Sequence, residues 1–291
     1  MTNNSTTNLV RLALPKGRMA EGVQRLLGDA GITVRAASRE YRPEISLPGF
    51  EAKLLKPQAI VTMLQIGSRD VGFAGADWVE EFGGGLVELL DTGLDPVRVV
   101  AAIPAQRIGE PDFLQGPLVV ASELERTTKK WIANRGLDAT FLHSFGSTEV
   151  YPPEDADCIV DVVATGATLR ANGLEVLDEI MISSTRLFAT EQVLAKPQLR
   201  EQIESLVLLL KSVLEARRRV MIEINVTREV LDQVVRALPC MREPTISTLH
   251  GDRGFAIKVA APRADLPQLI TTIKALGGTD IVVSQLSQIV P

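Results

Sequence analysis

Short apolar runs alternate with amphipathic stretches along most of the chain, which is the pattern of an α/β protein. The first strand is predicted at 9–14, where apolar residues alternate with polar ones, and a loop follows at 15–18. Apolar residues at helical spacing from Met19 to Ala30 then predict a helix that Gly31 ends. The chain thus begins as strand, loop and helix, the unit from which α/β sheets are built.

The same patterns predict two α/β lobes that crossing strands join around a cleft. Strands are expected at 45–47, 52–55, 71–74, 87–90, 97–103, 118–121, 140–142, 158–163, 180–183 and 187–189, and helices at 60–66, 123–135 and 197–217. Pro48-Gly49 is expected to turn a hairpin, and Gly75 to Trp78 to form a turn after a strand. We expect lobe I at 1–103 and 182–216 and lobe II at 104–181, in a periplasmic-binding-protein-like (type II) arrangement.

The last residues, 217–291, have an order of their own. Strands at 220–226, 245–249, 255–260 and 281–284 and helices at 228–238 and 266–276 give the sequence βαββαβ. This is the ferredoxin-like arrangement, which ACT-like regulatory domains share. Since the segment contains no catalytic constellation, a regulatory or assembly role is expected for it.

The composition of the chain argues against several classes of function. The chain has 291 residues, of which 45% are hydrophobic and 4% aromatic, and no apolar run approaches the roughly 20 residues that span a bilayer. The polar start MTNNSTTN lacks a signal peptide, so we expect a cytoplasmic protein without membrane partners. The formal charge of −5 and dispersed basic residues argue against nucleic acid, and Cys158 and Cys240 are expected to be reduced core residues. With two histidines outside any ligand pattern, a histidine base or a protein-bound transition metal is not expected.

Residues 158–174 predict an anion-binding loop at the end of a buried strand. Asp161 interrupts an apolar run, and a buried carboxylate must either be paired or face an opening. The N–H groups from Gly166 to Leu169 can converge on a phosphate. A polar turn without a ligand explains the spacing alone equally well. Lys16 and Arg18 beside a helix start also favour an anion, unless they are ordinary surface residues.

Three motifs in order resemble one family. LALPKGRM at 12–19, DVGFAGADWVEE at 70–81 and DADCIVDVVATGATLRANGL at 155–174 are similar to the ATP phosphoribosyltransferases that open histidine biosynthesis. The resemblance spans essentially the whole chain, and its C-terminal unit is similar to the histidine-binding regulatory domain of the long form. It implies a pentosyltransferase that joins N1 of ATP to C1 of phosphoribosyl diphosphate and releases pyrophosphate.

The resemblance also assigns residues, and it implies that Asp161 and Glu149 are catalytic. It assigns phosphoribosyl diphosphate to Asp161, Thr165, Gly166, Ala167, Thr168 and Leu169, and ATP to Lys16, Gly17, Arg18, Arg39, Lys56, Gly75, Asp77 and Trp78. Thr245 and Ser284 match positions that bind histidine, although both are also ordinary strand residues. Asp157 matches a further acid of the third motif, for which a structural role is the alternative.

The implied cofactor is Mg²⁺, bound mainly through substrate phosphates, which agrees with the lack of a metal motif. The implied partners are ATP, phosphoribosyl diphosphate and further copies of the chain, with histidine inhibiting between C-terminal domains and assembly shifting between dimer and hexamer. Inhibition by AMP is left open. An intracellular two-lobed ligand sensor without catalysis is the alternative, and a catalytically inactive regulatory subunit is a third hypothesis, which the Asp161 loop argues against.

Overall fold

The computed structural model describes residues 9–35, 41–110, 112–239, 241 and 243–290. These residues form two compact units, one within Met1–Arg25 and Ile32–Glu204 and the other within Leu26–Gly31 and Ser205–Pro291. Among the described residues, no helix combines the length and the apolar character that crossing a membrane requires. Cys158 is a buried free thiol, and Cys240 lies outside the described residues.

The elements as far as residue 218 are as follows. The strands are β1 Val10–Pro15, β2 Val34–Arg35, β3 Glu44–Ile45, β4 Phe50–Leu55, β5 Val71–Gly75, β6 Val87–Pro104, β7 Leu118–Ser122, β8 Ala139–His143, β9 Cys158–Val163 and β10 Leu174–Ala189. The helices are α1 Arg18–Asp29, α2 Pro57–Gln65, α3 Ala76–Glu81, α4 Glu125–Arg135, α5 Ala167–Ala171, α6 Glu191–Leu194 and α7 Pro197–Arg218.

One eight-stranded sheet organises the first unit, in the order β4-β1-β5-β10-β6-β9-β7-β8. The strands β4, β1 and β5 run parallel to one another, and so do β9, β7 and β8. Between these two groups lie β10 and β6, which pair antiparallel with each other and with their neighbours. Two parallel groups joined by long crossing strands give the two α/β lobes that the sequence predicts.

The lobe around β9 is packed on both faces of the sheet. Val160 belongs to a core on one face with Trp131 of α4, and Ile159 belongs to a core on the other face with Leu169 of α5. Both strand residues are almost fully buried, as the continuous apolar run predicts for a strand of a parallel sheet. Asp161 follows them on the same strand, so its position is fixed by a rigid core.

A carboxylate of one lobe caps a helix of the other. Glu81, at the end of α3, accepts hydrogen bonds from the N–H groups of Arg126 and Thr127, each at 3.0 Å. These donors belong to the first turn of α4, whose N-cap residue Leu124 makes no side-chain cap. The contact ties α3 to the lobe that carries Asp161.

Three local predictions are wrong. Pro48-Gly49 does not turn a hairpin, because β4 pairs parallel with β1 and β3 pairs with β2 instead. Gly75 to Trp78 is not a turn, because Gly75 ends β5 and α3 begins at Ala76. The strands expected at 87–90 and 97–103 are parts of one strand, β6, and those at 180–183 and 187–189 are parts of β10. In the first and third cases, pairing with a distant strand decided what the local pattern could not.

The second unit contains a four-stranded antiparallel sheet with two helices. Its elements are β11 Arg219–Val226, α8 Leu231–Ala237, β12 Thr245–Thr248, β13 Phe255–Pro262, α9 Leu266–Ala275 and β14 Thr279–Gln285. The strand order β12-β13-β11-β14 and the βαββαβ sequence are those of the ferredoxin-like fold. Alternate residues of β11 are buried and pack with α8 and α9, as a strand with one covered face requires.

Candidate active site

A cavity of about 460 Å³ opens at the edge of the large sheet. It is lined by the residues that follow β1, β4 and β5 and by the middle of β10 and β6. Seven of the eight residues predicted to bind ATP line it, namely Lys16, Gly17, Arg18, Lys56, Gly75, Asp77 and Trp78. The eighth, Arg39, lies outside the described residues.

Three cations lie at one end of this pocket. Lys16 and Arg18 flank Gly17, whose positive φ of 76° turns the chain from β1 into α1. Lys56 precedes α2, which follows the neighbouring parallel strand β4. The three side chains therefore lie beside two helix N-termini, and none of them forms an ion pair with another described residue. This end of the pocket attracts an anion.

The basic loop is held in place by two contacts of Lys16. Its backbone N–H donates to the carbonyl of Leu55 at 2.8 Å, which continues the pairing of β1 with β4. Its ammonium lies 3.4 Å from the centre of the Tyr41 ring, within the range of a cation–π contact. The contact with Tyr41 orients the Lys16 side chain, and no carboxylate among the described residues neutralises its charge.

The wall of the pocket consists of hydroxyl–carboxylate pairs. Ser183 donates to Asp77 at 2.6 Å and in turn accepts from the Asp77 N–H at 3.0 Å. Thr185 donates to Asp95 at 3.0 Å. Asp77, Ser183 and Thr185 are all more than nine-tenths buried, so these hydrogen bonds offset the cost of removing polar groups from water.

Of this wall, sequence analysis identified only Asp77. The pocket residues outside the prediction are Met19, Pro57, Gln58, Asp95, Val97, Ser183, Ser184 and Thr185. The available signal was the Ser-Ser-Thr triplet, which with Arg186 interrupts β10 between the apolar segments 180–182 and 187–189. Register shifts of β10 against β6 at these residues aim the hydroxyls at the cavity, and no local pattern reveals such shifts.

The predicted phosphate loop follows β9. Gly166 adopts a positive φ of 70° before α5, and the Ala167 N–H donates to the Thr165 hydroxyl at 3.3 Å. Thr165, Ala167 and Thr168 are exposed, so their polar groups are open to a ligand. Leu169 is different, because its side chain is buried in the core and only its backbone could take part.

Asp161 lies in the position that the sequence marks as anomalous. Burial raises the pKa of Asp161 to about 6, the Val162 N–H that it accepts at 2.6 Å lowers this pKa, and the charges of Glu149 and Glu123 raise it. No cation among the described residues pairs with it. A buried carboxylate must either form an ion pair or face an opening, and the structure favours the opening for Asp161.

The other acids of this lobe differ in role. Glu149 is half-buried on a short 3₁₀ turn, Thr148–Val150, and its charge acts on Asp161. Asp157 accepts from the Val119 N–H at 2.8 Å and so fastens β9 to β7, which is the structural role considered for it. Within the described ranges, no cluster of three or more His, Cys, Asp or Glu side chains could hold a metal ion.

Both parts of the site meet along β6. Asp161 is paired with Val100, and Val163 with Arg98, so the end of β9 points along β6 toward the pocket residues Val97 and Asp95. Val97 and Val100 are about 10 Å apart along the strand, at roughly 3.3 Å per residue. The cationic pocket and the strand that carries Asp161 therefore border the same strand, β6.

The residues predicted to bind histidine lie elsewhere. Thr245 is on β12 and Ser284 on β14, the two edge strands of the second unit, and both are exposed. The pairs Thr245–Lys258, Lys258–Glu223 and Glu223–Val282 show that Thr245 and Ser284 share one face of the sheet. That face is opposite the one packed by α8 and α9.

Known proteins are similar to this chain in sequence and in fold. The ATP phosphoribosyltransferase family matches residues 56–212, and the family described as HisG, C-terminal domain, matches residues 216–288. The ATP phosphoribosyltransferase of Chlorobium luteolum is 35% identical over 287 residues, 97% of each chain. That of Pelotomaculum thermopropionicum is 34% identical over 97% of this chain and 99% of its own.

A solved structure agrees with these matches. A chain of the ATP phosphoribosyl transferase (HisG:HisZ) complex from Thermotoga maritima has a TM-score of 0.62 and 27% identity, covering 71% of this chain and 99% of that chain. The two-lobed α/β fold with a ferredoxin-like C-terminal unit is confirmed, and so is the resemblance carried by the three motifs. The chain belongs to the ATP phosphoribosyltransferase family of histidine biosynthesis.

Proposed function

We propose that this chain joins N1 of ATP to C1 of 5-phosphoribosyl diphosphate and releases pyrophosphate, the first step of histidine biosynthesis. The observation that carries the proposal is that the cationic pocket and the strand that carries Asp161 both border β6. A two-substrate transfer needs two anion sites side by side, because orientation of the reactants supplies much of the rate. Family membership supports the same chemistry.

The pocket suits ATP. Lys16, Arg18 and Lys56 offer positive charge to the triphosphate, and the wall with Asp77 accepts hydrogen bonds from hydroxyl or amino groups. Lysine at position 56 binds phosphate as a point charge and not through a bidentate fork. We infer that Arg39 also belongs to this side, on the family resemblance alone.

The loop after β9 suits the phosphoribosyl group. Thr165, Gly166, Ala167 and Thr168 offer hydroxyls and N–H groups to the 5′-phosphate, and Leu169 contributes its backbone. As pyrophosphate leaves, positive charge develops on the ribose ring, and the carboxylates of Asp161 and Glu149 stabilise it. Asp161 must be ionised for this role.

The residues present also fit Mg²⁺ in a supporting position. Asp161 and Glu149 are oxygen donors of the type that Mg²⁺ prefers, while the described residues lack a cluster of three ligands. When bound, the ion would neutralise charge on the pyrophosphate oxygens. The substrate phosphates would thus complete its coordination.

A reaction assay tests the proposal against the ligand sensor. The protein is incubated with ATP, phosphoribosyl diphosphate and Mg²⁺, and pyrophosphate is measured by a coupled assay. We expect release that requires both substrates and stops when Mg²⁺ is chelated. Binding of either substrate without pyrophosphate release would favour the sensor and contradict the proposal.

We further propose that histidine inhibits by binding between the C-terminal sheets of two copies. In one copy, Thr245 and Ser284 lie on opposite edges of a four-stranded sheet, about 14 Å apart at 4.7–4.9 Å per strand. One amino acid cannot contact both, whereas an edge of each of two copies could supply one residue. This supports a dimer or hexamer as the regulated assembly.

The proposed domain limits follow from these roles. Lobe I comprises 1–103 and 182–216 and carries the ATP pocket, lobe II comprises 104–181 and carries the phosphoribosyl loop, and 217–291 is the regulatory domain. Because ATP and phosphoribosyl diphosphate are intracellular metabolites, a cytoplasmic location is part of the same proposal.

A further inference from the structure

Tyr41 holds its aromatic ring against the ammonium of a pocket lysine. The Nζ atom of Lys16 lies 3.4 Å from the centre of the ring. Tyr41 is 57% exposed, so burial in a core does not explain where the ring lies. Lys16 lines the nucleotide pocket, whereas Tyr41 is not one of the described residues that line it. The ring therefore reaches the pocket through the lysine.

The end of β4 holds both residues. Leu54 donates its N–H to the Tyr41 carbonyl at 2.8 Å, and the carbonyl of the next residue, Leu55, accepts from the Lys16 N–H at 2.8 Å. Leu54 is buried, and Leu55 packs against the core around α2, so packing fixes this end of β4. Both hydrogen bonds are between backbone groups and do not depend on the side chains at 16 and 41. The sheet thus brings the two side chains together, and the ring decides where the ammonium lies.

The carboxylates of the pocket leave the Lys16 charge free. Asp77 accepts from the Ser183 hydroxyl at 2.6 Å, and Asp95 accepts from the Thr185 hydroxyl at 3.0 Å. Lys16 forms no ion pair with any of the described residues. A lysine that is paired with a carboxylate must give up that partner when a phosphate binds. A lysine held by a ring keeps its full charge for the anion.

A second contact between a lysine and a ring shows the difference. Nζ of Lys129 lies 5.5 Å from the centre of the Phe141 ring, but Lys129 also forms an ion pair with Glu125 at 2.6 Å, one helical turn away. A carboxylate therefore neutralises the Lys129 charge. Of these two contacts, only the one at the pocket leaves the lysine available to an anionic ligand.

We propose that Tyr41 is a positioning residue of the nucleotide site, whose ring holds the Lys16 ammonium ready for the triphosphate of ATP, an inference that rests on the proposed ATP site. The face of an aromatic ring is electron-rich and attracts a cation without neutralising it. The triphosphate then meets a lysine side chain that is already ordered, so less conformational entropy is lost on binding. This role requires the ring of Tyr41 and not its hydroxyl.

The test compares Tyr41→Phe, which keeps the ring, with Tyr41→Leu, which removes it. Calorimetric affinities for ATP, inorganic tripolyphosphate and adenosine are measured with the full chain. We expect Tyr41→Phe to bind ATP as the wild type does, and Tyr41→Leu to bind it about threefold more weakly or worse. Tripolyphosphate should show the same loss as ATP, and adenosine, which has no phosphate, should bind equally to all three proteins. In turnover, Tyr41→Leu should raise the KM for ATP and leave kcat nearly unchanged.

Two further variants show whether the ring acts through the lysine. Lys16→Met removes the ammonium, so adding Tyr41→Leu to it should have no further effect on ATP affinity. Phe141→Leu is the matched control, because it removes a ring from beside Lys129 outside the pocket and should leave ATP affinity unchanged.

Several results would overturn the inference. Equal losses in Tyr41→Phe and Tyr41→Leu would assign the effect to the hydroxyl, and a parallel loss of adenosine affinity would show a merely structural role. An ATP affinity that Tyr41→Leu leaves unchanged, or lowers equally in the Lys16→Met background, would also contradict it. A wild type whose ATP affinity depends on the ring as expected, but that releases no pyrophosphate, would contradict the proposed reaction and leave the role of Tyr41 standing.

Discussion

At the scale of single residues, Asp161 carries a charge that its surroundings oppose. Burial raises its pKa from 3.8 to about 6, so the folded chain holds this proton more tightly than the unfolded chain does. Stability therefore falls as pH rises from about 4 through 6, and the ionised group remains unfavourable above that range. Such a cost in stability is expected for a carboxylate that binds a ligand instead of stabilising the fold.

The variant Asp161→Asn separates these two roles. We expect turnover to fall by roughly 10²–10³ or more, because the charge that stabilises the ribose is lost. The free energy of unfolding at pH 8 should stay equal or rise, since a buried charge is removed. Pyrophosphate release and thermal unfolding at pH 5 and pH 8 measure the two effects. A variant with near-wild-type turnover would remove Asp161 from the mechanism.

The pH dependence of kcat/KM gives a second residue-scale test. Because Asp161 acts ionised and its pKa in the free protein is about 6, activity should decline as pH falls through that value. The charge of Glu123 raises this pKa, so Glu123→Gln should move the decline to lower pH while preserving the maximum rate. A decline at the same pH in both proteins would show that another group controls it.

The sequence revealed some of these residues and hid others. Asp161 was visible because an acid within a buried apolar strand breaks a local rule. No local pattern marks Asp95 or Thr185. Their hydrogen bond depends on the register between β6 and β10, since the two residues are 90 positions apart along the chain. Side chains brought together by such pairing cannot be found from local pattern.

At the scale of elements, the loop between β9 and α5 depends on one glycine. Gly166 has a φ of 70°, and a Cβ built there would lie 3.2 Å from Nη1 of Arg170, which also donates through Nη2 to the Thr165 carbonyl at 3.1 Å. Replacing Gly166 would therefore disturb both the backbone and the side chain that closes the loop.

Gly166→Ala and Gly173→Ala form a matched pair. Gly173 has a φ of 68° and open space around its Cβ position, so both changes carry a backbone cost of about 1–2 kcal/mol. Only Gly166→Ala should also raise the KM for phosphoribosyl diphosphate, by roughly tenfold or more, because it displaces groups that orient the substrate. Equal KM values in the two variants would exclude the loop as the phosphate site.

Elements were predicted more reliably than their connections. The helix α1 and the strand β9 follow directly from apolar periodicity and from a continuous buried run. The expected hairpin at Pro48-Gly49 failed because β4 finds a parallel partner in β1, a contact that local turn chemistry does not encode. The strand β6 looked like two strands because the residues DTGLDP at 91–96 interrupt its apolar pattern.

At the scale of the whole molecule, the C-terminal unit should control the enzyme without taking part in catalysis. We expect histidine to inhibit pyrophosphate release by the full chain, and a chain that ends before residue 217 to lose that inhibition. Thr245→Ala and Ser284→Ala in the full chain should each weaken inhibition and leave the uninhibited rate unchanged. Full inhibition of the shortened chain would show that the histidine site lies elsewhere.

The order of the eight strands is the part of the molecule that sequence patterns could not supply. It places the loops after β1, β4 and β5 on one side of β10 and β6, and the Asp161 loop on the other side. The proposed chemistry follows from that placement, since N1 of the bound ATP and C1 of the ribose must meet where the two sides face each other.

Formation of the bond between these two atoms tests the account most directly. ATP labelled with ¹⁵N at N1 and phosphoribosyl diphosphate labelled with ¹³C at C1 are incubated with the wild-type chain and Mg²⁺, and the product is examined by NMR. We predict a one-bond coupling between the two labels, appearing in step with pyrophosphate. Pyrophosphate without that coupling, or two labels that never join, would contradict the account.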